Sequence, residues 1–470
     1  MADGLKPYPQ YKSSGLPWLE RIPAHWEVRR NGRLFSQRNE TGFPELPILE
    51  VSLKTGVRIR DVANGERKQM MADRAKYKRA VRGDIAYNMM RLWQGAVGVA
   101  PVDGLVSPAY VVARPYADLD SRYYAYLFRT AVYMNEVNKY SHGIVSDRNR
   151  LYWDEFKQMP SIFPPAAEQK AVAAYLDNQG ALVARFIRNR RRLIDLLNQQ
   201  KQAIMHRAVT RGMNPTARMK LIRIGTVDEA PAHWELRRLK SVAEIRYGLG
   251  QPPRELPNGL PLIRATNVDH GRIVEKDLVF IDPAAVPPTR GAFLSAGEII
   301  VVRSGAYTAD SAIIPQKFEG AVAGYDMVVT VRKALPEFIA LCILSSYVRV
   351  DQLLLASSRA AQPHLNAEEL GTCIVLLPPL DEQREIVESV RQNLEVVERE
   401  ISRAHKQVSL IREYQARLIS EVVTGKIDVR DAQFDRQLSP ESEVASEPDA
   451  LSEEITPADE LAEEVAIGDE

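Results

Sequence analysis

Two stretches of this chain repeat each other, and that constrains its fold before any propensity argument begins. Pro23-Ala24-His25-Trp26-Glu27-Val28-Arg29-Arg30 recurs as Pro231-Ala232-His233-Trp234-Glu235-Leu236-Arg237-Arg238, seven identities in eight at a spacing of 208 residues. Phe163-Pro164-Pro165 with Glu168-Gln169 is answered by Leu377-Pro378-Pro379 with Glu382-Gln383, at a spacing of 214. Gly83-Asp84-Ile85 and Gly297-Glu298-Ile299 also lie 214 apart, so a six-residue length change falls between the first motif and this one. Everything after it is expected to stay in register, through Leu151 with Leu365 and Val209-Thr210 with Val423-Thr424. The chain is a tandem duplication.

Each half reads as a globular segment of roughly 150 residues followed by a charged helical segment. The globular segments alternate short apolar runs with turn residues: Ile48 to Leu53, Ile85 to Asn88, Ala96 to Ala100 and Tyr110 to Ala113, then Leu262-Ile263, Ile299 to Val302, Ala312 to Ile314 and Met327 to Val331. Such runs suit strands of mixed sheets. A helical stretch near Tyr123 to Val137, mirrored around Glu337 to Leu354, makes the class α+β.

The helical segments are better defined. Val390, Leu394, Val397, Ile401, Ala404, Val408, Ile411, Gln415, Leu418 and Val422 alternate spacings of four and three, which is a coiled-coil seam. Subtracting 214 gives Leu176, Gly180, Val183, Ile187, Arg190, Ile194, Leu197, Lys201, Ile204 and Ala208, the same frame with weak positions at Gly180, Arg190 and Lys201. A Pro-Pro entry with an acidic first turn, and Thr210-Arg211-Gly212 or Thr424-Gly425 at the end, supply start and stop signals. An isolated stripe ordinarily packs on its own domain. Two stripes of matching length and frame favour packing on each other. Helices of about 43 residues would be about 64 Å long, and the short connection from Arg211 to about Ala230 favours an antiparallel pair with one globular unit at each end. The expected boundaries are 1–163 and 214–377 for the globular domains, 164–213 and 378–430 for the helices, and 431–470 for a tail.

Composition narrows the function. The 470 residues are 45% hydrophobic and 26% charged, the balance of a globular protein, and no run is long and apolar enough for a membrane span. With no basic start and apolar core at the N-terminus, the expected location is the cytoplasm. Cys342 and Cys373 make neither a disulfide framework nor a CxxC pair, so they read as small buried hydrophobes. The net charge of +1 hides a split. Residues 431–470 hold 14 Asp and Glu against one Arg, leaving 61 Lys and Arg against 47 Asp and Glu in residues 1–430. A body at net +14 is suited to a polyanion, although moderately. No phosphate loop, HExxH, helix-opening GxGxxG or Asn/Asp-Pro-Pro-aromatic motif is present. Gly248-Leu249-Gly250 reads as a turn, and His25, His233, Trp26 and Trp234 as a duplicated structural contact. No metal site is expected.

The ordered combination resembles the specificity (S) subunits of type I restriction-modification systems. It is carried by Gly15-Leu16-Pro17-Trp18 through Trp26-Glu27-Val28, the second Pro-Ala-His-Trp-Glu-Leu, both Pro-Pro-x-x-Glu-Gln helix entrances and Gln362-Pro363-His364-Leu365-Asn366. The likeness runs from about Tyr11 to Val429; in the first half Arg148-Asn149-Arg150-Leu151-Tyr152 departs from the Gln-Pro-His-Leu-Asn form. The resemblance implies two target recognition domains, each reading half of a bipartite asymmetric site in double-stranded DNA, and an antiparallel coiled coil between them. It further implies a non-catalytic chain with no cofactor of its own. S-adenosylmethionine, ATP and Mg would sit on partners, two modification (methyltransferase) subunits and the restriction (translocase/nuclease) subunits.

Within that frame, base-contacting residues are expected in the loop after the Gly-Asp/Glu-Ile strand and in the loop before Leu151 or Leu365, because Arg, Gln and Asn suit bidentate base contacts. These are Asn88, Arg91, Trp93, Gln94, Ser141, His142 and Arg148 in the first half, and Arg303, Ser304, Tyr307, Ser358, Arg359, Gln362 and His364 in the second. The basic run Lys68, Arg74, Lys76, Lys78 and Arg79, with Tyr77 inside it, reads either as a solvated face or as a phosphate-contacting loop, the latter preferred. Helix pairing is expected through Leu176, Val183, Ile187, Ile194, Leu197, Ile204, Val390, Leu394, Val397, Ile401, Val408, Ile411 and Leu418. A methyltransferase or nuclease in its own right and a coiled-coil scaffold without a nucleic-acid role are the competing readings. The acidic tail reads as a solubilising extension; a competitor of DNA for the basic body is the alternative.

Overall fold

The computed structural model describes residues 5–53, 55–60, 74–142, 149–251, 253–287, 291–358 and 364–432. The chain forms two compact units, one from residues up to Asn189 together with those from Gln407 onward, the other from Arg190 to Lys406. The division falls inside each long helix, so each unit holds one globular domain, the half of its own helix nearest to it, and the complementary half of the other.

Each unit is built around a four-stranded antiparallel sheet. In the first the order is Phe35–Arg38, Tyr110–Pro115, Ile85–Asn88, Val97–Val99. In the second it is Ala243–Tyr247, Met327–Val331, Ile299–Val301, Ser311–Ile313. The central strands are buried on both faces, which is why they read as continuous apolar runs. The register is not uniform after the Gly-Asp/Glu-Ile motif. Ile85 pairs with Ala113 while Ile299 pairs with Val329, so the second strand of each sheet is offset by 329 − 113 = 216 residues and not 214. Two extra residues in the second half enter before this strand and are given back before Leu365, which the constant spacing of the flanking motifs conceals.

The single helical stretch expected in each half is broken. Ser121–Phe128 and Ala131–Tyr140 meet at Thr130, whose hydroxyl donates to the Leu127 carbonyl at 2.7 Å and caps the second helix by accepting from Tyr133 N–H. In the other half Pro336–Leu344 ends at Ser345, whose hydroxyl donates to Cys342 O at 2.6 Å before helix resumes at Ser346. A hydroxyl bonded back three residues competes with the helical ladder.

The long helices run Ala166–Arg211 and Leu380–Val423. Every seam position is buried or half-buried, while neighbours such as Arg399, Arg403, Arg412 and Arg417 are exposed. In the first unit Tyr175 and Leu176 pack with Leu418 and Val422, and Gly180 lies opposite Gln415. In the second, Met205 and Ala208 pack with Ile386 and Val390, and the Lys201 ammonium donates to Glu398 at 3.0 Å. Later residues of one helix meet earlier residues of the other in both units, which is antiparallel pairing. Two of the weak seam positions are thereby matched: the glycine faces a glutamine, and the lysine has a carboxylate. Cys342 and Cys373 are free and buried, and burial pushes both thiols up to about 12. No single helix among the described residues is long and apolar enough to cross a membrane.

Candidate functional site

The repeated sequence motifs meet in space. In the first unit Trp26 is buried, and its indole N–H donates to Glu168 Oε2 at 2.9 Å while His25 Nε2 donates to Oε1 at 2.6 Å. In the second unit Trp234 and His233 hold Glu382 in the same way, at 3.0 and 2.7 Å. The neighbouring glutamine is buried too. Gln169 donates to Pro164 O and accepts from Asp120 N–H; Gln383 donates to Pro378 O and accepts from Leu335 N–H. Each Pro-Pro-x-x-Glu-Gln segment therefore fastens the start of a long helix to its domain.

The end of the other long helix is fastened at the same place. Gly425 has φ +74° and no room for a side chain, since a Cβ would sit 2.5 Å from Pro23 and 2.9 Å from the Trp26 ring. Gly212, at φ +67°, abuts Trp234 and Glu382. Thus each Trp anchors two helix termini. Sequence reading found the motifs and their structural character but not that one grips the other.

The second structural device is an arginine clamp behind the central strand. Arg246 forms a bidentate pair with Glu298 at 2.6 Å through both terminal nitrogens, and Arg38 bonds Asp84 at 2.7 Å. This accounts for the acidic position of the Gly-Asp/Glu-Ile motif. The Arg246 guanidinium holds the Glu298 carboxyl below its ordinary range against the opposing effect of burial.

The expected reading residues of the second domain come together in part. Arg303 donates from Nη2 to His364 Nε2 at 2.9 Å, Ser304 pairs with His364 through the backbone, and Leu365 N–H bonds Arg303 O. Tyr307 and Ser358 are exposed. The guanidinium lies between Tyr247 and Tyr325, 4.6 and 4.4 Å from the ring centres. These two tyrosines and the Gly248–Gly250 turn, all missed as site residues, line with Arg303 a cavity of about 440 Å³. The tyrosines lie far from Arg303 in sequence and in no repeat, so only pairing across the sheet could have revealed them. Asp326 accepts the Arg303 backbone N–H, and burial raises its carboxyl to about 6.

In the first domain several expectations need correction. Asn88 is buried and its Oδ1 accepts the Met90 N–H, so it shapes a turn and cannot reach a groove. Trp93 packs on the core with its indole N–H on Met90 O, and the Ser141 hydroxyl caps a helix end at Val137 O. The basic run is largely engaged internally. Tyr77 is buried, Lys78 donates to Pro108 O and Tyr110 O, Arg74 donates to Leu46 O, and Arg79 is paired with Glu40 and Asp103. The Lys78 ammonium is held by two backbone carbonyls and the Arg79 guanidinium by two carboxylates, so neither is poised for a phosphate and the preferred phosphate-loop reading does not hold for them. Lys76, Gln94 and His142 are exposed and Arg91 half-exposed. Lys68, Arg148, Arg359, Gln362 and the tail beyond Ala432 lie outside the described residues. The structure also brings Asp269, His270 and Asp310 together, with ligand atoms within 4.8 Å of one another, a cluster the sequence did not suggest.

Comparison with known proteins places this geometry. Residues 231–403 match the type I restriction modification DNA specificity domain, a span that opens on the second Pro-Ala-His-Trp motif. The chain is 24% identical over 310 residues to the EcoKI specificity subunit of Escherichia coli, covering 63% of this chain and 64% of that protein. It is 24% identical over 442 residues to the putative MjaX specificity subunit of Methanocaldococcus jannaschii, covering 88% and 96%. Residues 231–403 carry a type I DNA specificity domain, and over most of its length the chain is similar to type I specificity subunits. A solved chain from work on the assembly and conformational transition of a type I R-M system superposes with a TM-score of 0.62, covering 86% of this chain and 99% of that one. At 15% identity it speaks for the fold. The matched relatives are named as specificity subunits, not as modification or restriction chains.

Proposed function

We propose that this chain is a specificity subunit that reads DNA sequence for a type I restriction-modification complex, each recognition domain taking one half of a bipartite, asymmetric target. The observation that carries this is the contrast within the duplication. The Trp–Glu latches and the arginine clamp are kept in both halves, whereas the positions of Arg303, Tyr247 and Tyr325 in the second are held by Met89, Asn39 and Ala109 in the first. Identical frames carrying different reading groups suit two different half-sites, since base edges specify and phosphates only position. Reading falls to Arg303, Ser304, Tyr307, Ser358 and His364 in the second domain and to Arg91, Gln94 and His142 in the first, with Lys76 on a phosphate; Arg148, Arg359 and Gln362 remain candidates beside them.

Under this reading the chain is non-catalytic and cytoplasmic. Two modification subunits supply S-adenosylmethionine-dependent adenine methylation, and restriction subunits supply ATP- and Mg-dependent cleavage. Mapping methylated adenines across the source genome tests it. The expected result is a bipartite asymmetric motif with a fixed unspecified spacer, which a few residues inserted in the long helices should alter without changing either half-site. A continuous palindrome would overturn it.

A further inference from the structure

Arg303, just beyond the central strand Ile299–Val301, differs from the two clamp arginines. Arg246 spends its charge on Glu298 inside the fold, as Arg38 does on Asp84. Among the described residues no carboxylate bonds the Arg303 guanidinium; Asp326 takes its backbone N–H instead. Its plane is held between two rings, and one terminal nitrogen is held by His364, which must present an unprotonated Nε2 to accept that bond. The Arg303 Nε is buried without a partner. Tyr247 and Tyr325 are 41% and 47% exposed, so the clamp opens outward.

The cavity in front of it is floored by backbone. Gly248 approaches Gly324 so closely that a Cβ would lie 2.2 Å from its carbonyl oxygen, and Gly248 and Leu249 donate their N–H groups to Asp326 O and Ala323 O. A guanidinium fixed in plane beforehand loses little rotamer freedom on binding. Its fork suits two acceptors side by side in one plane. Among base edges in the major groove only guanine offers that, with O6 and N7; adenine places a donor beside N7.

We propose that Arg303 reads a guanine in the half-site of the second domain, with Tyr247, Tyr325 and His364 as positioning residues. The inference rests on the proposed function. It is tested with the full chain reconstituted with its modification subunits on the target found by methylation mapping, replacing each G·C pair of the second half-site by A·T in turn. Wild type should lose about 5- to 150-fold in binding at one such position. R303A should lose as much on the intact target and nothing more on that substituted duplex, and R303K should not restore the preference, because a point charge lacks the fork. Y325A should weaken discrimination at the same pair alone. Unaltered discrimination at the first half-site in each variant shows that the chain is folded. Recovery by R303K, or an R303A loss equal on all duplexes with a shallower salt dependence, would make Arg303 a phosphate contact and overturn the proposal. No sequence preference by wild type at either half-site would overturn the recognition reading itself, and the proposal with it.

Discussion

The two domains share a frame and differ in what fills it. Around Phe35 the first core is aromatic: its ring lies 5.2 Å from Tyr124, 6.1 Å from Phe128 and 6.3 Å from Phe156, and Tyr87 lies 5.0 Å from Phe156. The corresponding residues of the second are Ala243, Ile339, Ile343, Leu370 and Val301, which with Val329 make up an aliphatic interior. The latches, by contrast, kept the same residue types: Trp, His, Glu and Gln. Packing requires volume and shape, which many combinations of apolar side chains supply. A directional hydrogen bond to a buried carboxylate requires its particular donor, so the polar contacts resisted divergence while the cores drifted.

The strongest way to break this comparison is to remove the anchors. Trp26→Ala and Trp234→Ala should each destabilise the protein by about 3–5 kcal/mol, through lost burial together with an unpaired glutamate. Denaturant unfolding of the two variants measures it. A near-zero cost for one of them would show that the latches, though alike in geometry, do not carry equal load.

A smaller effect separates the halves by pH. Asp326 lies in the second domain, just before the strand Met327–Val331, and the residue 216 places before it is Tyr110 in the first. Burial raises its carboxyl from an ordinary 3.8 to about 6, so the folded state holds the proton more tightly than the unfolded chain. Stability from this group is then complete below about pH 4 and lost as pH rises through about 6, some two units or about 3 kcal/mol. Asp326→Asn keeps an acceptor for the Arg303 N–H and should flatten stability between pH 4 and 7, raising it at the upper end. An unchanged pH profile would show that the carboxylate is stabilised as well as the acid.

The sequence carried most of the frame. Repeated motifs gave the duplication, and a three-four periodicity gave both helices and their seam, because long regular elements write their contacts at fixed spacings. Strand runs such as Ile85–Asn88 and Met327–Val331 were legible for the same reason. The candidate site was legible only in outline. Arg303 and His364 could be picked by residue type and place, but their partners are Tyr247, on a neighbouring strand, and Tyr325, in the bend that leads into Met327–Val331, a strand whose offset from its counterpart is two residues larger than that of the motifs around it. Exposure was the other blind spot. Lys78 and Arg79 looked free because their partners, Pro108, Tyr110, Glu40 and Asp103, are remote in sequence.

The finest distinction lies between the two latch carboxylates. Glu168 is 9% exposed and Glu382 22%, because the first is also covered by Tyr8, whose hydroxyl donates to Oε2 at 3.1 Å, and is faced by Arg430 at 3.8 Å. The residue 208 places after Tyr8 is Thr216, whose hydroxyl bonds Asn214 instead. Leaving a buried indole N–H unpaired costs about 1–3 kcal/mol. Glu168→Ala should therefore fall near the upper end, since a third donor is stranded with it, and Glu382→Ala near the lower, since water can replace the lost carboxylate. Tyr8→Phe should cost about 1 kcal/mol, and should cost almost nothing once Glu168 is alanine. That double-mutant cycle, measured by denaturant unfolding, isolates the extra contact from the latch it covers. Equal losses for the two alanine variants would mean that the covering tyrosine contributes packing and not hydrogen bonding to the first latch.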